Sequence, residues 1–390
     1  MKESPVKRFA SRKMSLFTES AIRDMSILAD RVGAVNLAQG SPDFPAPTPV
    51  KRAASAAIRE DHNQYEMTMG SQALREAIAA RAASFNHIRA DPDDGVTVTC
   101  GSTEAITAAI LAFTDPGDRV LVPEPFYESY LPATILSGAR AVHFGLEAPD
   151  FALAEEGLKA AFSQRPKVML LNTPNNPTGR VFSKRELRLV ADLCEEYDVL
   201  AVTDEIYERI VYDGKRHVSL ASIGDMHGRT VTVSGLSKTF SVTGWRIGYA
   251  LAERSLTRAL RTVHDYLTVC APTPLQRAAV AALALPDSYY EGLAATYDRK
   301  RLFMLRSLKA LGFECVRPEG AYFIMADFGG LSELDDYSFA ERLARDAGVA
   351  AVPASSFYAD RRAGRSMVRF TFSKKDATLR EAVRRMRKHL

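Results

Sequence analysis

The stretch that decides the fold is Thr230–Arg246, with the sequence TVTVSGLSKTFSVTGWR. Its first residues are β-branched or apolar, which is typical of a buried strand. Lys238 lies just beyond the exit of that strand, among hydroxyl side chains and glycines, and Arg246 follows eight residues later. A primary amine in this setting suits a Schiff base, and the arginine suits a phosphate on the same partner. The stretch therefore predicts a pyridoxal-phosphate site.

Further short β-rich runs alternate with helical patterns along the middle of the chain. They are Val96–Thr99, Arg119–Val122, Val168–Leu171, Val199–Thr203 and Ile247–Ala250. Apolar strands separated by helices form a mostly parallel sheet that is covered on both faces. We therefore expect a large α/β domain at residues 50–285, with its ligand at the carboxyl ends of the strands.

The pattern changes after about Leu285. A long charged helical segment, Tyr289–Leu311, precedes strand-like runs at Ala321–Ala326 and Met367–Phe372 and a last helix. This mixture predicts a smaller α+β domain, made of residues 286–390 together with the N-terminal segment 1–49.

Composition excludes several classes of protein. The 390 residues are 46% hydrophobic and 25% charged with a net charge of +4, so a general nucleic-acid role has little support. Residues 1–15 lack the apolar core of a signal peptide, and no apolar stretch of about 18 residues occurs. The four cysteines form no CxxC pair and the seven histidines no cluster, so no metal site or disulfide framework is indicated. We expect a cytoplasmic protein that does not bind membranes.

Two motifs at strand exits suggest how a cofactor is held. Gly101, Ser102 and Thr103 join a strand to a helix start, where free backbone N–H groups bind a phosphate, although such turns are often only helix caps. Asp204 emerges from an apolar strand and needs a partner, which a pyridinium nitrogen would supply. Tyr207, three residues later, can reach a neighbouring phenolic oxygen. A plain acid at a strand end is the alternative.

Three further features have both a functional and a structural interpretation. Asn172–Gly179 has a rigid backbone, and the amides of Asn175 and Asn176 offer donors for a phenolate or carboxylate, but the segment also suits a structural turn. Tyr127 either stacks on a flat ring or only packs. Arg369, flanked by strand-type residues, suits bidentate capture of a carboxylate or a salt bridge in the core.

Taken in order, the motifs resemble those of the class I/II (fold type I) aminotransferases, from about Asn36 to the C-terminus. The resemblance is carried by Asn176-Pro177-x-Gly179, Asp204-x-x-Tyr207, Ser237-Lys238 with Arg246, and Arg369. Within that family the kynurenine, glutamine and methionine aminotransferases are nearest, as indicated by Asn36–Pro45, Asn63–Tyr65 and Leu171–Gly179. The resemblance to this family implies a mixed, mostly parallel seven-stranded sheet, pyridoxal 5′-phosphate as cofactor, and a homodimer.

The resemblance also implies a role for each site residue. Lys238 would form the Schiff base and move the proton, and Asp204 would pair with the ring nitrogen. The other residues that would contact the cofactor are Tyr207 and Asn176 at the phenolic oxygen, Tyr127 on the ring, and Gly101, Ser102, Thr103, Ser237, Arg246 and the partner's Tyr65 at the phosphate. Arg369, Asn176 and the backbone of Gly40 would bind the substrate α-carboxylate.

Two positions depart from the family pattern. Ser41 stands where kynurenine-type members often carry Phe, which puts an aromatic substrate in doubt. Gly235 stands where many relatives place a phosphate-binding Ser, which would weaken phosphate binding slightly.

The sequence thus predicts an amino acid:2-oxo acid aminotransferase that works by two half-reactions. Its amino acid is expected to be neutral, aromatic or otherwise specialised, for example a succinylated diamino acid. The same lysine and cofactor would also serve an elimination, oxidation or cyclisation enzyme. A non-catalytic aminotransferase-like regulator is disfavoured, because the roughly 35 residues before the Pro-rich connector are too few for a DNA-binding winged helix.

Overall fold

The structure, a computed structural model, describes residues 9–147 and 149–390. Residues 1–8, which belong to the predicted small domain and to the N-terminal segment scanned for a signal peptide, lie outside the described residues. Along the described chain the α-helices are α1 (Ala21–Val32), α2 (Thr48–Arg59), α3 (Gln72–Arg81), α4 (Ser102–Phe113), α5 (Tyr130–Ser137), α6 (Glu155–Ser163), α7 (Lys184–Glu196), α8 (Arg254–Thr268), α9 (Thr273–Leu283), α10 (Asp287–Ala310), α11 (Asp336–Arg345) and α12 (Asp376–Met386). No helix in these ranges is long and apolar enough to cross a membrane.

A seven-stranded sheet carries the site. Its strands are β2 (Val96–Thr99), β3 (Arg119–Glu124), β4 (Arg140–Gly145), β5 (Val168–Asn172), β6 (Leu200–Asp204), β7 (Thr230–Gly235) and β8 (Gly248–Leu251), in the order β2-β8-β7-β6-β5-β3-β4. Only β8 runs antiparallel to its neighbours. The predicted α/β fold with a mixed, mostly parallel sheet is confirmed.

One strand of this sheet was not among the runs singled out in the sequence. Strand β4 is an edge strand paired only with β3, and most of its side chains are partly or fully exposed. Because Arg140 and His143 interrupt its apolar pattern, it lacks the continuous hydrophobic run that marks the central strands. Strands β2, β5 and β7, by contrast, are buried along their whole length.

The register of the central strands places the polar exit residues side by side. Asn172, the last residue of β5, is paired with Asp204, the last residue of β6, and Asp204 is paired with Val233 on β7. Lys238 lies three residues beyond the end of β7. These residues therefore meet at one edge of the sheet, as the topology of parallel strands requires.

The remaining strands are β1 (Val35–Asn36), β9 (Glu314–Cys315), β10 (Phe323–Asp327), β11 (Val349–Ala350), β12 (Val352–Pro353) and β13 (Met367–Thr371). They form a four-stranded sheet, β12-β13-β10-β9, and a two-stranded sheet of β1 and β11. A single apolar core joins Ala21 and Met25 of α1 to residues of α10, α11, α12 and these strands. Ile206, Tyr207, Ile210 and Tyr212 of the predicted large domain belong to the same core, so the two domains and their boundaries at 49/50 and 285/286 stay a prediction.

Candidate active site

A cavity of about 610 Å³ opens at the carboxyl ends of β5, β6 and β7. It brings together eleven of the predicted site residues, which are Gly40, Ser102, Thr103, Tyr127, Asn176, Asp204, Tyr207, Ser237, Lys238, Arg246 and Arg369. Gly101 adjoins the cavity, whereas Tyr65 does not line it. These residues are up to 329 positions apart in the sequence, and the fold collects them in one place.

Asp204 is a buried carboxylate at the floor of the cavity, with 5% of its surface exposed. Its Oδ2 accepts a hydrogen bond of 2.8 Å from the Tyr130 hydroxyl, and its Oδ1 accepts one of 3.3 Å from the Ile206 N–H. Burial raises the pKa of Asp204 to about 6, although both hydrogen bonds oppose that shift. A buried carboxylate of this kind is stabilised by a cation, so it suits a protonated ring nitrogen.

Lys238 lines the same cavity. Its Nζ is 5.8 Å from the centre of the ring of Tyr207, another predicted site residue. Burial lowers the pKa of Lys238 to about 8; the nearby Asp204 carboxylate opposes this shift, while the cations Arg246 and Arg369 add to it. A larger fraction of the amine is therefore neutral near pH 7 than for an exposed lysine, and the neutral form is the nucleophile.

The start of α4 forms a site suited to an anion, which we call the cradle and which consists of Gly101, Ser102 and Thr103. Gly101 precedes the helix with a φ of 83°, and a side chain there would clash with the guanidinium of Arg246. A side chain at Gly248 would clash with the backbone at Gly101 and Ser102, so both glycines keep this corner open. Free N–H groups at the helix start, Arg246 and the nearby Ser237 are donors suited to a phosphate.

Arg369 is fully buried, with 1% of its surface exposed. Its Nη1 donates to Asn176 Oδ1 and its Nη2 to the Ala38 carbonyl, both at 2.7 Å, while its Nε is buried without a hydrogen-bond partner. The rings of Phe323 and Phe357 have their centres 4.2 Å and 4.9 Å from Cζ. Burial lowers the pKa of Arg369 to about 10, so it stays cationic at neutral pH.

The ion-pair interpretation of Arg369 does not fit these contacts. Among the residues that the structure describes, no carboxylate lies within 4.0 Å of its guanidinium. Arg301 provides the contrast, because it is equally buried but pairs with Asp213 at 2.7 Å and with Asp298 at 2.6 Å. Arg369 is thus a buried cation without a carboxylate partner among the described residues, an arrangement that suits an anion from outside the chain.

The asparagine side chains of the turn at residues 172–179 have different roles, since some hold the backbone and one contacts Arg369. Asn175 accepts two hydrogen bonds from Thr178 and does not line the cavity, so the expectation that both Asn175 and Asn176 serve as ligand donors is wrong for Asn175. Asn172 supports the turn by accepting from the Asn176 N–H at 2.7 Å. Asn172 and Asn176 both line the cavity, but the amide of Asn172 is bound to the Asp204 carbonyl. The oxygen of Asn176 is bound to Arg369, which leaves its amide N–H groups for a ligand.

Three other predicted residues form the walls. Tyr207 packs edge-on against Tyr322 and Phe323, with ring centres 5.2 Å and 5.8 Å away. The ring of Tyr127 is half-buried at the cavity surface. The Gly40 carbonyl accepts a 2.8 Å hydrogen bond from the Tyr322 hydroxyl, so its N–H is the group left for a ligand.

Tyr65 lies outside the cavity of its own chain, and 83% of its surface is exposed. It belongs to an exposed apolar patch, which we define as Tyr65, Met67, Tyr266, Leu267 and Val269. The two segments of the patch are joined by a 2.9 Å hydrogen bond from Thr68 to Asp265. A large exposed aromatic in such a patch suits an interface rather than solvent.

Sequence reasoning missed a buried polar network beside Asp204. The next residue, Glu205, is fully buried and accepts from His217 at 2.7 Å and from Ser219 at 2.9 Å, and Glu208 accepts from Asn86 at 2.7 Å. Burial opposes protonation of His217, but the Glu205 carboxylate raises its pKa above the usual value.

The same network has to be considered as a metal site. Ligand atoms of Glu205, Glu208 and His217 lie within 4.8 Å of one another. Each of their carboxylate oxygens already has a hydrogen-bond partner in the protein. The geometry therefore indicates a network that fixes the end of β6.

Helix α1 was also missed as part of the cavity. Ile22, Arg23 and Ser26 line it, and the helix is tied to the site by a 2.5 Å hydrogen bond from Ser20 to Glu128. No local sequence pattern indicates the contact between Ser20 and Glu128, because these residues are 108 positions apart.

The polar groups of the cavity fit pyridoxal phosphate. The cradle at α4 supplies N–H groups and Arg246 for a phosphate, and Asp204 suits the pyridine nitrogen. Lys238 offers an amine of lowered pKa to the aldehyde carbon. Arg369 remains for the carboxylate of a second ligand.

Comparisons with known proteins agree with this geometry. The model of the family "Aminotransferase class I and II" matches residues 32–386. The chain is 39% identical to a probable N-succinyldiaminopimelate aminotransferase of Mycobacterium tuberculosis, covering 95% of this chain and 96% of that protein. It is 35% identical to human kynurenine–oxoglutarate transaminase 1, with 93% of each covered.

A solved structure extends the comparison to the fold. The crystal structure of an Escherichia coli protein with methionine aminotransferase function superposes with a TM-score of 0.93 at 34% identity, covering 97% of this chain and 99% of that one. The predicted resemblance is confirmed, including its methionine and kynurenine branch. This chain belongs to the class I and II aminotransferases, which are enzymes that use pyridoxal phosphate.

Proposed function

We propose that this aminotransferase moves an amino group from a neutral, aromatic or otherwise specialised amino acid to a 2-oxo acid in two half-reactions at the cavity described above. The observation that carries the proposal is the buried Arg369, which has no carboxylate partner among residues 9–147 and 149–390 and faces the same cavity as Lys238. An α-carboxylate held there brings the neighbouring α-carbon into the cavity that Lys238 lines.

The substrate range is proposed from the wall of the cavity. Apolar Ile22 and Ile27 and the small polar Ser41 line it together with the charged Arg23, Asp30 and Glu128, which suits neutral side chains as well as polar, specialised ones. The three relatives named above differ in their substrates, which are succinyldiaminopimelate, kynurenine and methionine. The spread supports a broad proposal that includes a succinylated diamino acid.

The predicted site residues divide the proposed reaction among them. Bound pyridoxal phosphate supplies an electron sink for the bond that breaks at the substrate α-carbon. The Lys238 amine takes the α-proton and returns a proton, and Asp204 holds one at the ring nitrogen. Arg246 and the start of α4 hold the phosphate, and Arg369 with Asn176 fixes the substrate carboxylate.

We further propose a homodimer in which Tyr65 completes the partner's phosphate site. Support comes from the exposure of Tyr65, from its absence from the cavity of its own chain, and from the apolar patch around it. An isologous contact through this patch would bury both copies of it. The cytoplasmic location stays a prediction.

A panel of amino acids tests the function. We expect the purified protein to be yellow, borohydride to attach the cofactor to Lys238, and several neutral or aromatic amino acids to convert the cofactor to its amino form in single turnover. A 2-oxo acid should then restore the original absorbance. Release of ammonia without an acceptor would instead indicate elimination or oxidation, and a mass-mapped adduct on another lysine would contradict the assignment.

Replacing Asp204 with Asn should leave cofactor bound but lower kcat by at least about 100-fold, because a neutral amide does not keep the ring nitrogen protonated. The matched control is Tyr130→Phe, which removes only the 2.8 Å hydrogen bond to Asp204 and should cost about 10-fold or less. Steady-state kinetics and cofactor absorbance measure both. Near-normal turnover of Asp204→Asn would remove Asp204 from the proposed chemistry.

Arg369→Leu should keep the cofactor spectrum and weaken amino-acid binding by about 1.5–3 kcal/mol, roughly 10- to 150-fold in KM. Lysine should rescue poorly, because it lacks the planar fork. Arg301→Leu is the matched control, since it removes an equally buried arginine that pairs with Asp213 and Asp298. It should lower Tm and leave KM unchanged. An altered spectrum with unchanged KM in Arg369→Leu would make Arg369 structural.

Subunit mixing tests the role of Tyr65. Lys238→Ala and Tyr65→Phe proteins should each be inactive or weak, whereas after exchange each heterodimer has one intact site, so about a quarter of wild-type activity should return. A mixture of Lys238→Ala with Asp204→Asn is the control and should gain nothing, because both changes damage the site of their own chain. If the first mixture never exceeds its parents despite proven exchange, Tyr65 does not act across the interface.

A further inference from the structure

A turn directly after β6 presents its residues to two sides. Ile206 and Tyr207 line the active-site cavity, whereas Glu205 and Glu208 do not. Both glutamates are nevertheless buried, with 0% and 7% of their surface exposed. The turn also contacts Asp204, because the Ile206 N–H donates to its carboxylate at 3.3 Å. The contacts that fix the two glutamates therefore also fix the residues that face the cavity.

Each glutamate is held by neutral donors on the side away from the cavity. Oε1 of Glu205 accepts hydrogen bonds from the hydroxyls of Thr203 at 3.0 Å and Ser219 at 2.9 Å. Oε2 of Glu208 accepts from the amide of Asn86 at 2.7 Å. Hydrogen bonds donated to a buried carboxyl group favour its ionised form. Two negative charges are thus enclosed behind the active site, and they repel each other unless a cation lies between them.

His217 is the group that can supply this cation. Its Nε2 lies 2.7 Å from Oε2 of Glu205, and ligand atoms of His217, Glu205 and Glu208 lie within 4.8 Å of one another. In residues 9–147 and 149–390, no lysine or arginine nitrogen lies within 4.0 Å of either carboxylate. Only 1% of the imidazole side chain is exposed, so water screens the pair little.

The charges that face His217 favour its imidazolium form. Burial lowers the pKa of the ring, the carboxylates of Glu205 and Glu208 raise it and Arg209 lowers it, and the resulting pKa lies above the ordinary value. On its other side the ring stacks on Phe85, which carries no charge, with 15° between the ring planes. Nδ1 is buried without a hydrogen-bond partner, so the attraction of the two carboxylates has to outweigh this cost.

We propose that His217 is a positioning residue for the reaction, which as an imidazolium joins the two glutamates behind the turn and so holds Asp204 and Tyr207 in place for the cofactor. The inference rests on the proposed chemistry of these two residues. His217 does not line the cavity itself and acts only through the turn.

His217→Gln tests the positioning role in the holoenzyme. We expect kcat to fall about 10-fold or more, because a displaced turn moves Asp204 relative to the cofactor. KM should change less than about 2-fold, because Arg369 still binds the substrate carboxylate. Ser219→Ala is the matched control, since it removes a neutral 2.9 Å hydrogen bond to the same Glu205 carboxylate and should change kcat less than about 2-fold. A loss in KM alone, or an equal loss in Ser219→Ala, would overturn the inference.

A double variant separates the charge of His217 from its hydrogen bond. Adding Glu208→Gln to His217→Gln should recover most of the lost kcat, because a single buried carboxylate remains and no longer repels another. A role in hydrogen bonding alone predicts no recovery, since the second change restores no contact of the ring. A double variant as slow as His217→Gln would therefore overturn the inference.

Thermal unfolding at several pH values gives a readout that does not depend on turnover. The pKa of His217 is raised in the folded protein, so its pairing stabilises the fold fully below the unfolded value of about 6.5 and this contribution is lost as pH rises through the folded value. The difference in Tm between wild type and His217→Gln should therefore shrink from about pH 6 to about pH 9, whereas that for Ser219→Ala should stay constant. A difference that does not change with pH would overturn the inference.

Two further outcomes are told apart by the same measurements. A metal chelator should leave the Tm of wild type unchanged, and a fall in Tm would assign the cationic role to a bound metal and overturn the inference. If Asp204→Asn turns over almost normally, the proposed chemistry fails and the positioning role fails with it. The pH-dependent Tm difference would still show in that case that His217 pairs with the glutamates.

Discussion

The enclosure of Asp204, Lys238 and Arg369 in one cavity, without an ion pair within 4.0 Å to any of them in the described part of the chain, is the constraint on which the site depends. Burial shifts the pKa of each group toward its neutral form, to about 6 for Asp204, about 8 for Lys238 and about 10 for Arg369. Removing such groups from water costs several kcal/mol unless a partner is supplied. In the proposed function the ring nitrogen and the aldehyde of the cofactor and the carboxylate of the substrate are the partners that compensate this cost.

Rigid surroundings hold the charged side chains of the cavity at fixed positions. Arg369 is fixed by Asn176, by the Ala38 carbonyl and by two aromatic rings, and none of these neutralises its charge. Beside Asp204, the Glu205–His217 pair ties the end of β6 to the loop that follows. Arg301 with its two aspartates shows that the same chain pairs a buried arginine fully where no ligand is to bind. This contrast supports the proposal that the unpaired charge of Arg369 serves ligand binding.

Local signals explain what could be predicted from the sequence. Lys238, the start of α4 and Asp204 follow buried strands directly, so strand pattern and topology together place them at one edge of the sheet. Tyr130, which bonds Asp204 across 74 positions, and Glu128, which bonds Ser20 across 108, carry no comparable signal. Asn175 and Asn176 are alike in sequence, and only the three-dimensional turn shows that one holds the backbone while the other faces the cavity. Strand β4 was missed because a half-exposed edge strand lacks a continuous apolar run.

Arg369 suits the part that all substrates of the proposed reaction share. In the proposed two half-reactions, donor and acceptor have an α-carboxylate in common but differ in their side chains. The group that binds the common carboxylate can therefore be rigid, and Arg369 is buried and fixed by hydrogen bonds to Asn176 and to the Ala38 carbonyl. A buried arginine without a carboxylate would be left as an unpaired charge, which is why this position suits a group that every substrate carries.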